Sequence, residues 1–293
     1  LRMLRTFKPD LIHVQVLTRA GVVALAYKML HHVPYVISEH WSRYFPENDN
    51  FKGFLRKMLT RKVIRGSGGV IAVSGILKTA MEQHGLSHEN FYVIPNVVDE
   101  TIFSLSNNPA QPLTRRIVHV SCFEEKSKNI SGLLRAVKTV AETRKDFQCY
   151  LVGEGPDLES SQRLAASLGL KDIVIFTGLK EGKELVSFIN TADFLVLSSR
   201  YETFGTVIAE ALACGVPVVS TAVGIAPEVI HDKNGIIVPA GNDALLSAAI
   251  LKMLKDCRQY DREEIRQEIL GKFNSESVAR MLMTAYAKAL DKE

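Results

Sequence analysis

Cysteine is scarce in this chain, and long apolar runs and paired-acid metal motifs are missing. The four cysteines among 293 residues are scattered and match neither a zinc site nor a disulfide framework, so we expect a reducing, cytoplasmic environment. No apolar run approaches the ~18 residues that would span a membrane. The sequence also shows no Asp-x-Asp pair and no Ser-His-Asp set. These absences argue against a disulfide-rich secreted protein, a membrane-spanning protein and a serine hydrolase.

Charge is unevenly distributed along the chain. The net formal charge is +4, but residues 1–70 hold 12 Lys or Arg against 4 Asp or Glu, which leaves the remainder near −4. This asymmetry predicts an anionic surface or substrate for the first part of the chain. With 46% apolar and 23% charged residues, the composition is that of a globular protein long enough for two domains, and we expect no nucleic-acid partner.

The stretch 197–228, LSSRYETFGTVIAEALACGVPVVSTAVGIAPE, is the most informative part of the sequence. It predicts a strand end, a loop, a helix over Phe204–Cys214, a turn, a buried strand and a second loop. The helix is apolar almost all round except at Glu210. A carboxylate is rarely buried without a partner, and no Lys or Arg lies within one helical turn, so the partner must come from elsewhere in the fold or from a ligand.

Glu202 stands just ahead of this helix. The free backbone N–H groups at Thr203, Phe204 and Gly205, together with the positive end of the helix dipole, predict an anion site. The axial rise from Phe204 to Glu210 is ~9 Å at the α-helical rise per residue. Two carboxylates flanking an anion site at that spacing suit a sugar joined through phosphate to a ribose.

These residues form a Glu-x7-Glu pair that is followed by Gly224, Pro227-Glu228 and Asn234-Gly235. In this arrangement the block Ser198–Pro239 resembles the family 4 glycosyltransferases, retaining enzymes of the GT-B fold that use nucleotide-sugar donors. The resemblance implies an α/β protein with two Rossmann-like domains, each built on a parallel sheet. An ordinary αβ crossover with incidental acids is the alternative.

Strand-like runs support this organisation. Four occur in the first domain and six in the second: Leu11–Val16, Tyr35–Ser38, Val70–Val73 and Tyr92–Ile94, then Ile117–Ser121, Gln148–Val152, Ile173–Phe176, Phe194–Ser198, Pro217–Ser220 and Ile236–Val238. Because the family's first domain begins with further βα units, we expect this one to be incomplete, lacking ~70–100 N-terminal residues. The opening LRMLRTFKPD is interpreted as a helix end.

The predicted domain boundaries follow from these elements. Residues 1–108 form the C-terminal part of the acceptor-side domain, and 109–275 form the nucleotide-sugar-binding domain. Residues 276–293 form a C-terminal helix that returns to the first domain. The polar segment Ser104–Thr114, with two prolines, is the predicted linker.

The resemblance assigns donor-site roles residue by residue. Lys128 matches the lysine that grips the donor diphosphate, whereas Cys122 stands where relatives carry an arginine, with Lys126 as a candidate substitute. Gly153 belongs to the loop beside the donor, and Leu179 and Lys180 follow the strand where relatives hold the base.

The Glu-x7-Glu pair receives two further roles. Glu202 binds donor-sugar hydroxyls and Glu210 binds the ribose diol, while Thr203, Phe204 and Gly205 offer backbone amides. Ile225 replaces the second of two adjacent glycines found in relatives, which predicts less room beside the sugar.

His40, in Ser38-Glu39-His40-Trp41, resembles the family's histidine at a strand end near the acceptor; taken alone, a structural or exposed histidine is the alternative. The implied reaction is metal-independent and cofactor-free retaining transfer, with His40, Glu202 and Lys128 as catalytic residues. We expect a UDP- or GDP-linked sugar as donor and a glycan or lipid-linked acceptor, in polysaccharide or glycoconjugate synthesis. A nucleotide-sugar epimerase of similar architecture and a non-catalytic nucleotide-sugar-binding module remain alternatives.

An apolar stripe precedes a group of cations in the first domain. Phe51, Phe54, Leu55, Met58 and Leu59 form the stripe, and Lys52, Arg56, Lys57, Arg61, Lys62 and Arg65 surround or follow it. One interpretation is a helix packed on the first sheet. The other is peripheral contact with the anionic inner face of a membrane through the basic face.

Overall fold

A computed structural model of the chain describes residues 8–48, 50–106 and 114–291. It divides into two units, Leu1–Asn96 with Glu276–Glu293, and Val97–Ser275. Most of the predicted helix end at residues 1–10 and of the linker Ser104–Thr114 lies outside the described residues. The domain boundary at residue 108 stays a prediction.

The first unit is built on a four-stranded parallel sheet in the order β1-β2-β3-β4. Strand β2 is buried throughout, and β3 is buried on both faces, as expected of strands covered by helices on either side. The four predicted strands are confirmed. The strands are β1 (Ile12–Gln15), β2 (Tyr35–Glu39), β3 (Gly69–Ala72) and β4 (Phe91–Val93), and the helices that follow the first three are α1 (Leu17–His31), α2 (Phe54–Gly66) and α3 (Gly75–Gln83).

The C-terminal helix α12, Ser275–Leu290, packs within the first unit. Its buried Val278 and Ala285 belong to one apolar cluster with Ile71 of β3. Gly68 permits the close approach, because a Cβ there would lie 2.6 Å from the Ala289 Cβ.

The second unit holds a six-stranded parallel sheet in the order β10-β9-β8-β5-β6-β7. Its strands are β5 (Arg115–Val120), β6 (Phe147–Val152), β7 (Val174–Gly178), β8 (Phe194–Leu197), β9 (Val218–Thr221) and β10 (Gly235–Val238). Counted within the unit, this is the doubly wound order 3-2-1-4-5-6, which places the topological switch point between β5 and β8. Ligands of such sheets bind beyond the carboxyl ends of the strands at that point, so the loops after β5 and β8 define the place to examine.

Eight helices accompany this sheet among the described residues. They are α4 (Glu125–Lys128), α5 (Ile130–Thr143), α6 (Leu158–Ser167), α7 (Gly182–Asn190), α8 (Thr206–Ala213), α9 (Ala226–Val229), α10 (Asp243–Asp256) and α11 (Arg262–Phe273). The apolar face of α5 and the buried side chains of β5, β6 and α10 form the main core. Helix α8 begins at Thr206 rather than at Phe204, because Gly205 adopts a left-handed conformation (φ 81°) and serves as the N-cap. No helix in the described ranges is long and apolar enough to cross a bilayer.

Candidate functional site

The loops after β5 and β8 are joined by hydrogen bonds beside the switch point. The Ser198 hydroxyl donates to the Lys128 carbonyl oxygen at 2.9 Å, and the Arg200 N–H donates to the Ser127 carbonyl oxygen at 2.7 Å. These bonds satisfy backbone groups that leave the sheet in a partly buried region, where unpaired polar groups are costly. They also fix the end of α4 against the segment that leads to Glu202.

Lys128 and Glu202, predicted from two separate motifs, meet in this place. The Lys128 Nζ lies 2.6 Å from Glu202 Oε1, and the Ser199 hydroxyl donates to the same oxygen at 2.8 Å. Only 17% of the Lys128 side chain and 13% of the Glu202 side chain are exposed. A charge-assisted hydrogen bond in such a setting holds both groups in one geometry, so an ammonium and a carboxylate are presented together at the crevice.

The start of α8 lies in contact with a second loop. A Cβ at Gly224 (φ 54°) would stand 2.2 Å from the Phe204 carbonyl oxygen, so only glycine fits there. The Ile225 N–H donates to that same oxygen at 2.8 Å, and the Ile225 side chain is buried. The two loops therefore fix one another, and the start of α8 carries neither a side-chain cap nor an acidic residue in its first turn. Such a helix start favours an anion.

Glu210 lies in the middle of α8 and is half-buried. No hydrogen bond or ion pair to its carboxylate comes from residues 8–48, 50–106 or 114–291, and burial is the only influence on its titration. Burial raises the pKa of this carboxyl from 4.5 to about 7. The partner expected for Glu210 is therefore not another described side chain, and the carboxylate is free to accept a ligand's hydroxyl groups.

His119, which the sequence reasoning missed, ties the two central strands together. It is fully buried on β5; its Nδ1 lies 2.9 Å from the Val196 carbonyl oxygen of β8 and its Nε2 lies 2.8 Å from the Ser121 Oγ. A carbonyl oxygen only accepts, so Nδ1 carries the proton and Nε2 accepts from the Ser121 hydroxyl. Burial lowers the pKa of His119 to about 4, against the opposing effect of the hydrogen bond to Val196 and with a smaller lowering by the Lys128 cation, so the ring is neutral at pH 7. A polar residue inside the apolar run RIVHV was the available signal.

Gly153 holds the loop after β6 close to the loop after β5. A Cβ at this position (φ 134°) would stand 1.9 Å from the Ser121 carbonyl oxygen, and the Gly153 N–H donates to the Gly178 carbonyl oxygen at 2.9 Å. The loops that follow β5, β6 and β7 therefore lie against one another. Glycine is required at position 153 because any side chain would collide with the neighbouring loop.

The remaining donor-side residues lie at the ends of β7 and β5. Leu179 is 52% exposed, and the Lys180 Nζ pairs with the Glu184 carboxylate at 2.5 Å. Cys122 is exposed in the loop after β5, and Lys126 lies on α4. Thr203 precedes the N-cap of α8 by two residues.

His40 belongs to the first unit and follows β2 directly. Glu39 before it is fully buried and accepts hydrogen bonds from the backbone N–H groups of His40 and Trp41, each at 2.9 Å, and from the Tyr44 hydroxyl at 2.8 Å. This carboxylate is thus the structural centre of the loop. It determines where the neighbouring imidazole is placed.

The His40 ring is joined to a polar network of the first unit. Its Nε2 lies 3.1 Å from the Gln15 Oε1, an acceptor, so Nε2 carries the proton. The His13 Nε2 continues the network to the Ser38 Oγ at 2.7 Å, and its Nδ1 lies 2.7 Å from the Tyr286 hydroxyl of α12. Burial lowers the pKa of His40, partly offset by Glu39, which favours a neutral imidazole.

Two protein families match the chain. The family described as glycosyl transferases group 1 matches residues 106–269, and glycosyltransferase family 4 matches residues 1–101. The N-acetyl-alpha-D-glucosaminyl L-malate synthase of Bacillus anthracis is 28% identical over 242 residues, which cover 79% of this chain and 62% of that protein. The lipopolysaccharide core biosynthesis glycosyltransferase LpsD of Rhizobium meliloti is 36% identical over 132 residues, covering 45% of this chain and 37% of LpsD. The chain thus spans less than two thirds of these relatives.

Solved structures share the fold. The sucrose-phosphate synthase of Thermosynechococcus elongatus superposes with a TM-score of 0.84 at 23% identity, covering 100% of this chain and 76% of that one. Anabaena HepE, in complex with UDP and glucose, gives a TM-score of 0.79 at 20% identity, covering 95% of this chain and 78% of that one. These likenesses confirm the predicted fold class of two α/β units with parallel sheets.

The unpaired Glu210 makes a prediction for stability against pH. A carboxyl whose pKa is raised in the folded protein binds its proton more tightly there than in the unfolded chain, so stability falls as the pH rises from about 4.5 to about 7. Glu210→Gln keeps the shape and removes the charge. The free energy of unfolding of Glu210→Gln minus that of the parent should therefore be larger at pH 8 than at pH 5, by up to about 3 kcal/mol.

Urea unfolding of both proteins at the two pH values measures this difference. Glu159→Gln, on the exposed face of α6, is the matched control and should leave the pH dependence unchanged. Parallel pH profiles for the parent and Glu210→Gln would contradict the assignment.

Proposed function

The chain belongs to the family of group 1 glycosyl transferases, and we propose that it is a retaining glycosyltransferase using a nucleotide-sugar donor. The observation that carries the proposal is the arrangement at the switch point. A lysine–glutamate pair lies beside an uncapped helix start, and an unpartnered carboxylate follows on the same helix. The acceptor in this proposal is a glycan or a lipid-linked saccharide.

In this proposal the donor diphosphate occupies the start of α8. Lys128 and the backbone N–H groups near Gly205 bind its oxygens, and they stabilise the negative charge that grows as the nucleotide leaves. The hydrogen bond to Glu202 holds the Lys128 ammonium in one orientation, which lowers the entropic cost of binding a phosphate there. His119 is neutral and accepts a hydrogen bond from the Ser121 hydroxyl, so it orients Ser121 just after β5.

Two carboxylates bind the remaining parts of the donor. Glu202 accepts from sugar hydroxyls, and Glu210 accepts from the ribose diol, which supplies the hydrogen-bond partners that Glu210 lacks. Leu179 and Lys180, with Gly153 beside them, belong to the base end, and Thr203 and Phe204 contribute backbone groups. The nucleotide class is supported by a structural neighbour that holds UDP or UDP-glucose, and we expect a UDP- or GDP-linked sugar.

His40 is proposed to act on the acceptor side. Its neutral ring, with the Nε2 proton directed to Gln15, leaves Nδ1 as an acceptor for a hydroxyl group. Glu39 sets the position of this ring through the backbone and is not itself a catalytic residue. The reaction proposed is transfer with retention of anomeric configuration and without a metal, since cationic and backbone donors take the place of a metal at the diphosphate.

Nucleotide affinity tests the donor site directly. Glu210→Ala removes the ribose contact and preserves α8, because alanine is a good helix former. A hydrogen bond to a charged group contributes ~1.5–3 kcal/mol, so UDP or GDP affinity should fall about ten- to a hundredfold in calorimetry. The control Glu159→Ala removes an exposed helical glutamate and should bind as the parent does. Equal affinity in Glu210→Ala and the parent would reject the assignment.

Turnover tests the metal-free mechanism. With a UDP- or GDP-sugar and a saccharide acceptor, transfer should proceed in EDTA, and the product should keep the donor's anomeric configuration. Lys128→Ala should lower kcat about a hundredfold, since the loss of one positioned donor to a developing charge costs roughly that factor. Activity that disappears in EDTA and returns with manganese would refute the metal-free proposal, and conversion of the donor to an epimer without acceptor would favour the epimerase alternative.

The helix α2 supports a further part of the proposal, reversible docking on an anionic membrane surface. The interpretation that its apolar stripe packs on the first sheet is wrong for most of the stripe. Exposure reaches 79% for Phe54, 73% for Leu55, 51% for Met58 and 40% for Leu59, and only Phe51 is buried. Exposed cations lie on the same helix, among them Arg61, Lys62 and Arg65. Apolar side chains beside cations suit the interfacial region of an anionic leaflet.

Liposome co-sedimentation tests this docking. Each Lys or Arg near an anionic surface contributes ~1 kcal/mol, so Lys57→Glu with Lys62→Glu should reduce binding to phosphatidylglycerol vesicles by at least about tenfold. Added salt should weaken binding, and neutral vesicles should not bind. The charge-matched control Lys171→Glu with Lys255→Glu, in the second unit, should bind as the parent does. Equal loss in both double variants would show that only net charge matters.

A further inference from the structure

A pocket of ≈ 500 Å³ in the first unit is lined by none of the proposed catalytic or donor-binding residues, although its Gln15 is the hydrogen-bond partner of His40. Its wall is formed by the first turn of α1, the segment after β2 and the start of α2. Three arginines, Arg19, Arg43 and Arg56, line it, and none of its lining residues is acidic. The arginines come from different elements, so their convergence is a property of the fold and not of one basic run.

Arg43 is the innermost of the three. Its residue is 8% exposed, its Nη1 donates to the Thr18 Oγ1 at 3.0 Å, and its guanidinium carbon lies 3.5 Å from the centroid of the Trp41 ring. Its Nε is buried without a hydrogen-bond partner. A buried donor left unpaired is unfavourable, and a guanidinium fixed by stacking and by one hydrogen bond is suited to bind an oxyanion.

No described carboxylate offers Arg43 the missing partner. Glu39, the buried acid nearest in sequence, already accepts hydrogen bonds from two backbone N–H groups and the Tyr44 hydroxyl. Among the described residues, no ion pair forms to Arg19, Arg43 or Arg56. Glu39 attracts the Arg43 cation electrostatically without forming an ion pair to it, so the described side chains leave the three guanidinium groups without a carboxylate partner in direct contact.

The N-terminal end of α1 adds to the positive electrostatic potential of the pocket. This 15-residue helix has no side-chain cap and no acidic residue in its first turn, and Thr18, Arg19 and Ala20 of that turn line the pocket. Its N-cap, Val16, has a φ of 69°, a strained value for a β-branched residue. The positive end of the helix and the arginines thus act on one volume.

We propose that this pocket binds the phosphate or carboxylate group of a small soluble ligand. The fork of Arg43 binds the oxyanion at the base of the pocket, and the exposed Arg19 and Arg56 close on it from the rim. If the proposed glycosyl transfer is correct, the ligand is an acceptor that carries this anionic group. Binding of the anion itself needs neither a donor nor turnover.

The chain carries a single tryptophan, Trp41, and this residue lines the pocket 49% exposed. Tryptophan emission therefore reports on this part of the first unit. Inorganic phosphate, titrated at constant ionic strength with potassium chloride as balance, should change the emission saturably. Arg19→Gln with Arg56→Gln should weaken the apparent affinity about ten- to a hundredfold. The control Arg65→Gln, on α2 but outside the pocket lining, should titrate as the parent does.

The outcomes separate the sources of the anion and the two proposals. A saturable response to phosphate that the double variant weakens supports the pocket. A response that is non-saturable, or equal in parent and double variant, overturns it. A response only to phosphatidylglycerol vesicles also overturns it, because the anion would then be a lipid headgroup. UDP or GDP calorimetry on the double variant should match the parent, so loss of the phosphate response and loss of donor binding are distinguishable.

Discussion

The Lys128–Glu202 pair of the proposed donor site depends on the adjacency of β5 and β8. These strands are neighbours in the sheet although the chain between them builds β6, β7 and the four helices α4 to α7. The polar groups that leave the sheet there cannot remain unpaired, so the loop after one strand must bond to the loop after the other. The hydrogen bonds from Ser198 and Arg200 meet this requirement. Within the sheet, His119 of β5 bonds to the Val196 carbonyl oxygen of β8 and joins the two strands directly. Lys128 lies against Glu202 because the backbone carbonyl groups at the end of α4 find their hydrogen-bond donors in the loop that leads to Glu202.

Glu39 and Glu210 are both removed from solvent, but their surroundings suit them to different roles, one structural and one proposed for ligand binding. Glu39 has three close donors and serves the loop that carries His40. Glu210 has no such donors among the described residues, and burial raises its pKa. Since an unsatisfied carboxylate lowers stability, its presence in an otherwise apolar helix is consistent with a site in which function takes precedence over stability.

The sequence predicted much of this arrangement because its signals are local. Apolar runs predicted all ten strands of the described residues. The Glu-x7-Glu spacing led to the glycosyltransferase family that matches the chain. His119 was missed because its acceptor, the Val196 carbonyl, lies 77 residues away in the sequence. The start of α8 was predicted two residues early because the left-handed Gly205 acts as a cap. The apolar stripe on α2 was left with two interpretations because periodicity identifies an apolar face without showing what covers it, and exposure of most of the stripe contradicts packing on the sheet. The three arginines of the pocket meet only through the tertiary fold.

The return of α12 to the first unit has a consequence for biosynthesis. Residues 97–275 form an uninterrupted unit, so they can fold as they emerge from the ribosome. The first unit is completed only when α12 is synthesised, because His13 bonds to Tyr286, 273 residues later in the chain. Until α12 is synthesised, the apolar surface of β3 and Ile94 that it covers stays exposed. The first unit is therefore translated first but completes its folding last. Ribosome-associated chaperones would therefore meet the first unit as a client for longer than the second.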